Sequence, residues 1–142
     1  MKICRTIGTA VMGATLLAIV PMLAHHAPQG EFDLLKEDTI AGTVKRMEWI
    51  SPHPSLVIDV TDPQTGDVVT WQFEADGIQT MRRGGVGRRT LTFGTEVAVT
   101  YWPSFDDAER GFIRALQTAD GKSYTVYFGD SEPIAEDLRG RR

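Results

Sequence analysis

Alternation of apolar and polar residues is the dominant pattern of this chain from Thr39 onward, and it predicts β-strands. Leu56, Ile58 and Val60 show the period of two most clearly. The pattern predicts strands over residues 39–50, 56–60, 69–74, 95–102 and 112–118, and a last strand that carries Tyr124, Val126 and Phe128. Clusters of glycine, proline and aspartate separate these segments, as expected for turns.

One short helix is predicted between the third and fourth strands, over Ala75–Arg83. Ile78 and Met81 have the spacing of one helix face, Asp76 stands at the N-cap position, and a pair of glycines follows. Three strands, a helix and two or three further strands are the order of the OB-fold, a small Greek-key barrel. We therefore predict a mainly β, OB-fold-like barrel of five or six strands at residues 39–129, with a β-sandwich as the alternative.

The first predicted strand contains a glycine and a change of phase. Ile40 and Val44 occupy one face, whereas Met47 and Trp49 provide the apolar positions farther along. A glycine together with such a slip indicates a β-bulge, which bends a strand and increases its twist. A long bent strand can pair in both halves of a closed barrel, which favours the barrel over the sandwich.

The N-terminus has the pattern of an export signal. A basic start precedes an apolar run from Ala10 to Ala24. The run is shorter than the roughly 20 residues that span a bilayer as a helix, so we predict a Sec-type signal peptide over residues 1–24. An uncleaved membrane anchor is the alternative. We expect a periplasmic protein with an N-terminal arm at residues 25–38 and a flexible, charged tail at residues 130–142.

Charge and cysteine content restrict the partners and the kinds of site. The chain has 15 basic and 19 acidic residues, a formal net charge of −4, and its signal segment contains bases but no acids. An acidic exported domain is a poor partner for nucleic acid or anionic lipid, so we expect it to bind no nucleic acid and no membrane after signal cleavage. Cys4 is the single cysteine, which excludes disulfides and thiolate metal sites from the mature domain.

Several motifs carry a resemblance to a family of small exported bacterial proteins catalogued only as a domain of unknown function. They are His25–His26, Phe32–Asp33, Gly42–Val44, Glu48–His53, Trp71–Glu74, Met81–Gly84 and Gly94–Val97. The Glu-Trp-x-x-Pro-His string, together with the two histidines at the export junction, is the most specific part. Members commonly have Asn-Pro-His and a Gly-Trp, where this chain has Ser51 before Pro52 and Gly85–Val86. The resemblance implies a fold but no activity.

The three histidines suggest a metal site. They fall in two places, His25–His26 and His53. Cleavage before His25 gives that residue a free α-amine beside its imidazole, a pair that chelates metals, and His53 can add a third nitrogen. Glu48, in the same predicted corner as His53, can add an oxygen. Nitrogen ligands with open positions suit copper first and zinc or nickel after it. The alternative is that His53, held between two prolines, only fixes a turn.

Aromatic and arginine side chains provide a second group of candidate ligand contacts. Trp49 lies in the same corner as His53, and Trp102 begins the loop between predicted strands four and five, which borders the usual binding face of OB-folds. Arg82 and Arg83 precede a glycine-rich loop that can hold a carboxylate or phosphate. The alternative for the arginines is an ordinary helix C-terminus, where cations complement the helix dipole.

These patterns predict a non-enzymatic, exported binding module for a metal ion or a small molecule. The sequence has no serine elbow, catalytic cysteine or zinc-protease motif. Two alternatives stay open. One is a copper-dependent oxidoreductase that uses an N-terminal histidine, and the other is a structural or interaction module whose partner is another envelope protein.

Overall fold

The computed structural model describes residues 28–127. The predicted signal peptide, His25, His26 and the predicted tail lie outside these residues. A 3-10 turn at Pro28–Gly30 precedes β1 (Asp38–Glu48), β2 (Ser55–Thr61), β3 (Val68–Glu74), α1 (Ile78–Arg83), β4 (Glu96–Pro103), β5 (Arg110–Thr118) and β6 (Ser123–Thr125). The order of strands and helix is the predicted one.

Five strands close into a barrel. β1, β2 and β3 form an antiparallel meander, β4 pairs with β1, and β5 pairs with β4. A parallel pairing of β3 with β5, from Gln72 opposite Arg110 to Glu74 opposite Phe112, closes the barrel. β6 pairs with β5 outside it. The predicted OB-fold-like barrel with one short helix is confirmed, and the sandwich alternative was wrong.

β1 is bulged at Lys45. Its register with β2 passes from Val44 opposite Ile58 to Arg46 opposite Val57, so Lys45 is the extra residue. The pairing of β1 with β4 lies before this point, and most of its pairing with β2 lies beyond it. The predicted bulge is therefore confirmed, and it divides β1 between its two partners.

The inward-facing residues of the strands form one core with the helix and its following loop. The fully or almost fully buried members are Val44, Leu56, Ile58, Phe73, Ala75, Met81, Val86, Leu91, Val97, Val99, Tyr101, Ile113, Leu116 and Val126. At Gly42 a Cβ atom would lie 2.7 Å from the carbonyl oxygen of Asp59. The close approach of β1 to β2 therefore requires a glycine there.

A second apolar cluster lies on the outside of the barrel, against β4 and β5. Phe32, Trp102 and Phe112 are buried there, with Leu34 and Tyr127 packed around them. The ring centroids of Phe32 and Phe112 are 5.5 Å apart, and those of Trp102 and Tyr127 are 4.9 Å apart. We call this group the outer cluster. Its aromatic contacts give the described part of the N-terminal arm a fixed place on the barrel.

α1 is shorter than predicted, because it begins after Gly77 and not at Ala75. Asp76 does not cap the helix backbone. Its Oδ2 instead accepts a hydrogen bond from Thr80 Oγ1 at 2.8 Å, so the predicted N-cap was wrong. Met81 is buried in the barrel core. Within residues 28–127, no helix has the length and apolar character needed to cross a membrane.

Candidate functional site

The loop between β1 and β2, residues 49–54, is fastened to the end of β3. Pro54 is buried, and its carbonyl oxygen accepts a hydrogen bond from the Ala75 N–H at 2.9 Å. The Ser51–Pro52 peptide bond is cis. Two prolines restrict the backbone on either side of His53. The local sequence and the contact with β3 therefore both fix the position of this histidine.

His53 is oriented through one ring nitrogen. Its Nδ1 lies 3.1 Å from the carbonyl oxygen of Ala75 and 3.6 Å from Glu74 Oε1. A carbonyl oxygen only accepts hydrogen bonds, so we assign the proton to Nδ1, and the neutral ring keeps its lone pair on Nε2. Nε2 has no hydrogen-bond partner within residues 28–127. Histidines that bind a metal through one nitrogen commonly donate the other N–H to a backbone carbonyl in this way.

His53 lines a cleft of about 500 Å³ on the outer face of β2 and β3. Small-molecule sites have volumes of this order. OB-folds bind their ligands on the same face, between the β1–β2 and β4–β5 loops. The lining residues are Glu48, Ile50, Ser51, Pro52, His53, Ser55, Gln72, Glu74 and Arg110. Four strands and the 49–54 loop therefore contribute to one cavity.

Ion pairs surround the cleft and leave it with a surplus of negative charge. Arg46 Nε lies 2.7 Å from Glu48 Oε1. Arg110 contacts two carboxylates, Glu74 Oε2 at 3.2 Å and Glu31 Oε2 at 2.9 Å. Among the charged side chains that line the cleft, Glu48 and Glu74 are carboxylates and Arg110 is the guanidinium group. These groups are partly exposed, so each pair contributes little to stability, but the surplus favours a cationic ligand.

The N-terminal arm is held beside the cleft. Phe32 forms an isolated β-bridge with Ser104, and the Phe105 N–H donates a hydrogen bond to the Glu31 carbonyl oxygen at 3.1 Å. The guanidinium carbon of Arg110 lies 5.3 Å from the centre of the Phe32 ring, which is a cation–π distance. Arg110 therefore belongs both to the lining of the cleft and to the contact with the arm.

The outer face continues from the cleft toward the bulge. Lys45 Nζ lies 3.1 Å from Asp59 Oδ1, and Thr70 Oγ1 donates a hydrogen bond to the same oxygen at 2.6 Å. The Thr70 hydrogen bond, followed by the Lys45 hydrogen bond, holds the pKa of Asp59 below its usual 3.8. The bulged residue thus provides a cation to this face, beside a carboxylate that stays ionised in mild acid.

Glu48 and His53 are the predicted site residues that the structure brings together, since both line the cleft. Trp49 is half-buried against the core, with the Arg88 guanidinium carbon 5.9 Å from its ring centre. Trp102 is only 2% exposed and belongs to the outer cluster. The Phe112 ring stacks on Trp102 and the Arg114 guanidinium carbon lies 4.8 Å from its ring centre, so a ligand reaches Trp102 only where one of these groups moves aside.

Arg82 and Arg83 lie in the exposed last turn of α1 and do not line the cleft. His25 and His26 lie outside the described residues. The ligand and metal roles stay predictions for His25, His26, Glu48, His53, Trp49, Arg82, Arg83 and Trp102.

Sequence reasoning missed Glu74 and Arg110, the ion pair at one wall of the cleft. It also missed Ser55 and Gln72, which are joined by a hydrogen bond of 3.2 Å from Gln72 Nε2 to Ser55 Oγ. The predicted fold contained the signal that could have found them. An OB-fold pairs its third strand with its fifth, which brings the outward residues of β3 next to the start of β5.

Residues 28–127 contain no group of three or more histidine, cysteine, aspartate or glutamate side chains placed to hold a metal ion. The cleft provides one imidazole together with carboxylates. A metal site of three or more side chains therefore needs donors from outside this range.

A family model described as a family of unknown function (DUF6152) matches residues 14–114, which is well over half of the chain. The chain therefore belongs to this family. Searches of curated proteins and of solved structures found no match. The predicted membership of an unknown-function family is confirmed, whereas the export junction and the individual motifs stay predictions.

Proposed function

We propose that this member of the DUF6152 family is a non-enzymatic binding module of the cell envelope, and that its ligand occupies the cleft at His53. The state of His53 carries the proposal. The Ala75 carbonyl holds Nδ1, Nε2 has no hydrogen-bond partner within residues 28–127, and the ring lines a cavity of small-molecule size. A histidine that only fixes a loop needs the Nδ1 hydrogen bond and no cavity beside it.

The charges around the cleft favour a cation, and the donor types favour a transition metal. Glu48 and Glu74 line the cleft with His53. Imidazole nitrogen with carboxylate oxygen suits first-row divalent ions. We infer copper as the metal, with zinc or nickel as alternatives.

The missing donors are His25 and His26 in this proposal. Glu31 contacts Arg110 at the edge of the cleft, so the described part of the arm begins close to the site. Pro28–Gly30 form a 3-10 turn, so the reach of the histidines depends on the three residues before Pro28, which span roughly 10 Å when extended. The donor set is complete when a signal peptide is removed before His25, and export to the periplasm is thus part of the proposal.

Metal titration tests this function. Protein purified from its producing cells, with its N-terminus fixed by intact mass, is titrated with Cu(II), Zn(II) or Ni(II) alone and followed by calorimetry. Electron paramagnetic resonance reports the copper ligands. We expect one equivalent to bind, and His53→Gln to weaken binding by at least about tenfold because an imidazole ligand is lost. Glu109→Gln removes a carboxylate outside the cleft and serves as the control.

Equal affinity of His53→Gln and the wild type would contradict the proposal. If the copper-loaded protein consumes oxygen in the presence of a reductant, the non-enzymatic binding function is wrong and the copper-dependent oxidoreductase is favoured. A protein that neither retains nor binds any of the three metals would favour the interaction module.

A further inference from the structure

A second functional surface is formed by residues 78–95, which we call the cap. The cap consists of α1 and the loop that joins it to β4. Its buried residues Met81, Val86 and Leu91 recur every five positions and belong to the barrel core. These residues fasten one side of the cap to the barrel at regular intervals. The residues between them form its solvent side.

The solvent side of the cap is basic. Arg82, Arg83, Arg88 and Arg89 are exposed and stand between the buried residues. The cap contains no aspartate or glutamate, although the whole chain has a net charge of −4. Positive charge is therefore concentrated on one surface of an otherwise acidic protein.

Phe93 protrudes from the same segment. Its side chain is 84% exposed, the largest value among the large hydrophobic residues of the part of the chain that the structure describes. Gly94 follows with a φ of +83° and open space around it, so the turn holds the ring away from the barrel. Ile50, 56% exposed, comes directly after Trp49, which contacts Arg88 of the cap. Ile50 itself lines the cleft at His53, so Phe93 is the exposed apolar side chain that accompanies the arginines.

We propose that the cap docks the domain on an anionic lipid surface, with the arginines at the lipid phosphates and the Phe93 ring in the headgroup region. Guanidinium groups bind phosphates in bidentate geometry. Aromatic rings favour the membrane interface, and cations with apolar side chains are the combination of interfacial anchors. The alternative partner is an acidic protein. Its carboxylates would pair with the arginines, but such pairing does not explain why the Phe93 ring is exposed to solvent.

The net charge of the chain does not oppose this docking. Glu96 and Asp120 line one pocket with Arg89 and oppose docking there, but the carboxylates farther away on the barrel are largely screened, because the Debye length is about 8 Å at physiological ionic strength. The prediction of no membrane binding rests on the net charge of the whole domain. At contact, however, the charges within a few ångströms of the lipid determine the strength of binding. Each arginine near an anionic surface strengthens binding by about fivefold.

Vesicle sedimentation tests the proposal. The probes are vesicles of phosphatidylcholine alone and of phosphatidylcholine mixed with an equal amount of phosphatidylglycerol. The cap variant carries Arg82→Gln, Arg88→Gln and Arg89→Gln. The control variant carries Lys36→Gln, Lys45→Gln and Arg46→Gln, which remove the same charge from exposed positions outside the cap. All proteins are purified from their producing cells with the same N-terminus, verified by intact mass, so the variants differ only at the substituted positions.

We expect the wild type to bind the mixed vesicles more tightly than phosphatidylcholine alone and to be released by high salt. The cap variant should bind the mixed vesicles roughly 100-fold more weakly, and the control variant within about threefold of the wild type. Phe93→Ser should weaken binding by about tenfold, because the variant lacks the apolar ring that is transferred from water into the headgroup region. Thermal melting verifies that each variant is folded.

Equal losses in the cap and control variants would overturn the proposal, because binding would then follow net charge. Unchanged binding of Phe93→Ser would overturn the interfacial role of the ring. Binding to polyglutamate without binding to vesicles would overturn the proposal and would indicate that the partner of the cap is an acidic protein. None of these measurements depends on His53 or on a metal ion.

Discussion

Two apolar clusters stabilise this domain, and they arise in different ways. The barrel core contains inward residues from all five barrel strands, and in β2, β3 and β4 those residues recur at every second position. The outer cluster joins rings from distant parts of the chain, namely Phe32, Trp102, Phe112 and Tyr127. The core therefore follows from local periodicity, whereas the outer cluster exists only after the strands have found their places. We expect the outer cluster to depend on the barrel more than the barrel depends on it.

The two clusters meet at Gly111. Tyr101 packs in the core and Trp102 in the outer cluster, so β4 is buried on both faces here. A Cβ on Gly111 would clash with Tyr101 Cδ2 and lie 3.1 Å from Phe73 Cδ1. Glycine thus allows β5 to pass directly over the rings of the core while its neighbour Phe112 serves the outer cluster.

The largest effect is expected inside the barrel. Phe73→Ala removes a fully buried ring whose centroid lies 5.1 Å from that of Tyr101. The resulting cavity should lower the free energy of unfolding by about 4 kcal/mol, measured by urea denaturation. Phe93→Ala is the matched control, and it should change stability by less than about 0.5 kcal/mol because Phe93 is exposed. A loss below about 1 kcal/mol for Phe73→Ala would contradict the primary role of the core.

A smaller and more local effect is expected in the outer cluster. Phe32→Ala should lower the free energy of unfolding by about 2 kcal/mol, since the arm can detach before the barrel unfolds. Hydrogen exchange should accelerate at the Asp33 and Phe105 amides, which bond to Pro103 and Glu31 across the contact. Leu35→Ala, at a 43% exposed position of the same arm, is the control.

Exchange that accelerates throughout the barrel in Phe32→Ala would contradict the comparison. A loss of stability in Phe32→Ala as large as that in Phe73→Ala would also contradict it. In both cases the outer cluster would be part of one cooperative core.

The smallest effect concerns the turn before β6, the strand that lies outside the barrel. The Thr118 hydroxyl donates a hydrogen bond to Asp120 Oδ1 at 2.6 Å, and this bond, with further contacts from Lys122, lowers the pKa of Asp120 from 3.8 to about 2. A lowered pKa means that the stabilisation is present at neutral pH and is lost as pH falls through this range. Asp120→Asn should therefore remove part of the acid dependence of stability.

Carboxyl chemical shifts in NMR measure this pKa directly. Thr118→Val should move the pKa of Asp120 upward, because the largest stabilising hydrogen bond to the carboxylate is lost. An Asp120 that titrates at its ordinary value in the wild type would show that the turn does not form this bond in solution.

Much of the fold could be predicted because alternation indicates the side of a strand to which each residue belongs. Val97, Val99 and Tyr101 are buried at the predicted positions. The bulge could also be predicted, since Gly42 and the later phase slip occur in one strand. The start of α1 could not be predicted, because the Asp76 carboxylate accepts its hydrogen bond from the Thr80 side chain and does not cap the helix backbone. That choice depends on tertiary surroundings and not on propensity.

The candidate site was predicted only in part, for a related reason. The corner at His53 is a local feature, and its two prolines can be recognised in the sequence. Arg110 and Glu74 stand 36 residues apart and meet only because β3 and β5 close the barrel. Trp102 contacts the rings of Phe112 on the neighbouring strand and of Tyr127 after the last strand, and no period along β4 indicates these contacts.

The outer cluster has a consequence for chain connectivity. Phe112 contacts both Phe32, before the first strand, and Tyr127, after the last, with centroid distances of 5.5 Å and 5.8 Å. The polypeptide thus enters and leaves the barrel at the same ring. A domain with adjacent entry and exit points tolerates insertion into another protein, and circular permutation, without stretching any strand. New ends opened in the exposed turn between Asp62 and Asp67 would leave every pairing of the barrel intact, so the architecture does not require the natural order of its segments.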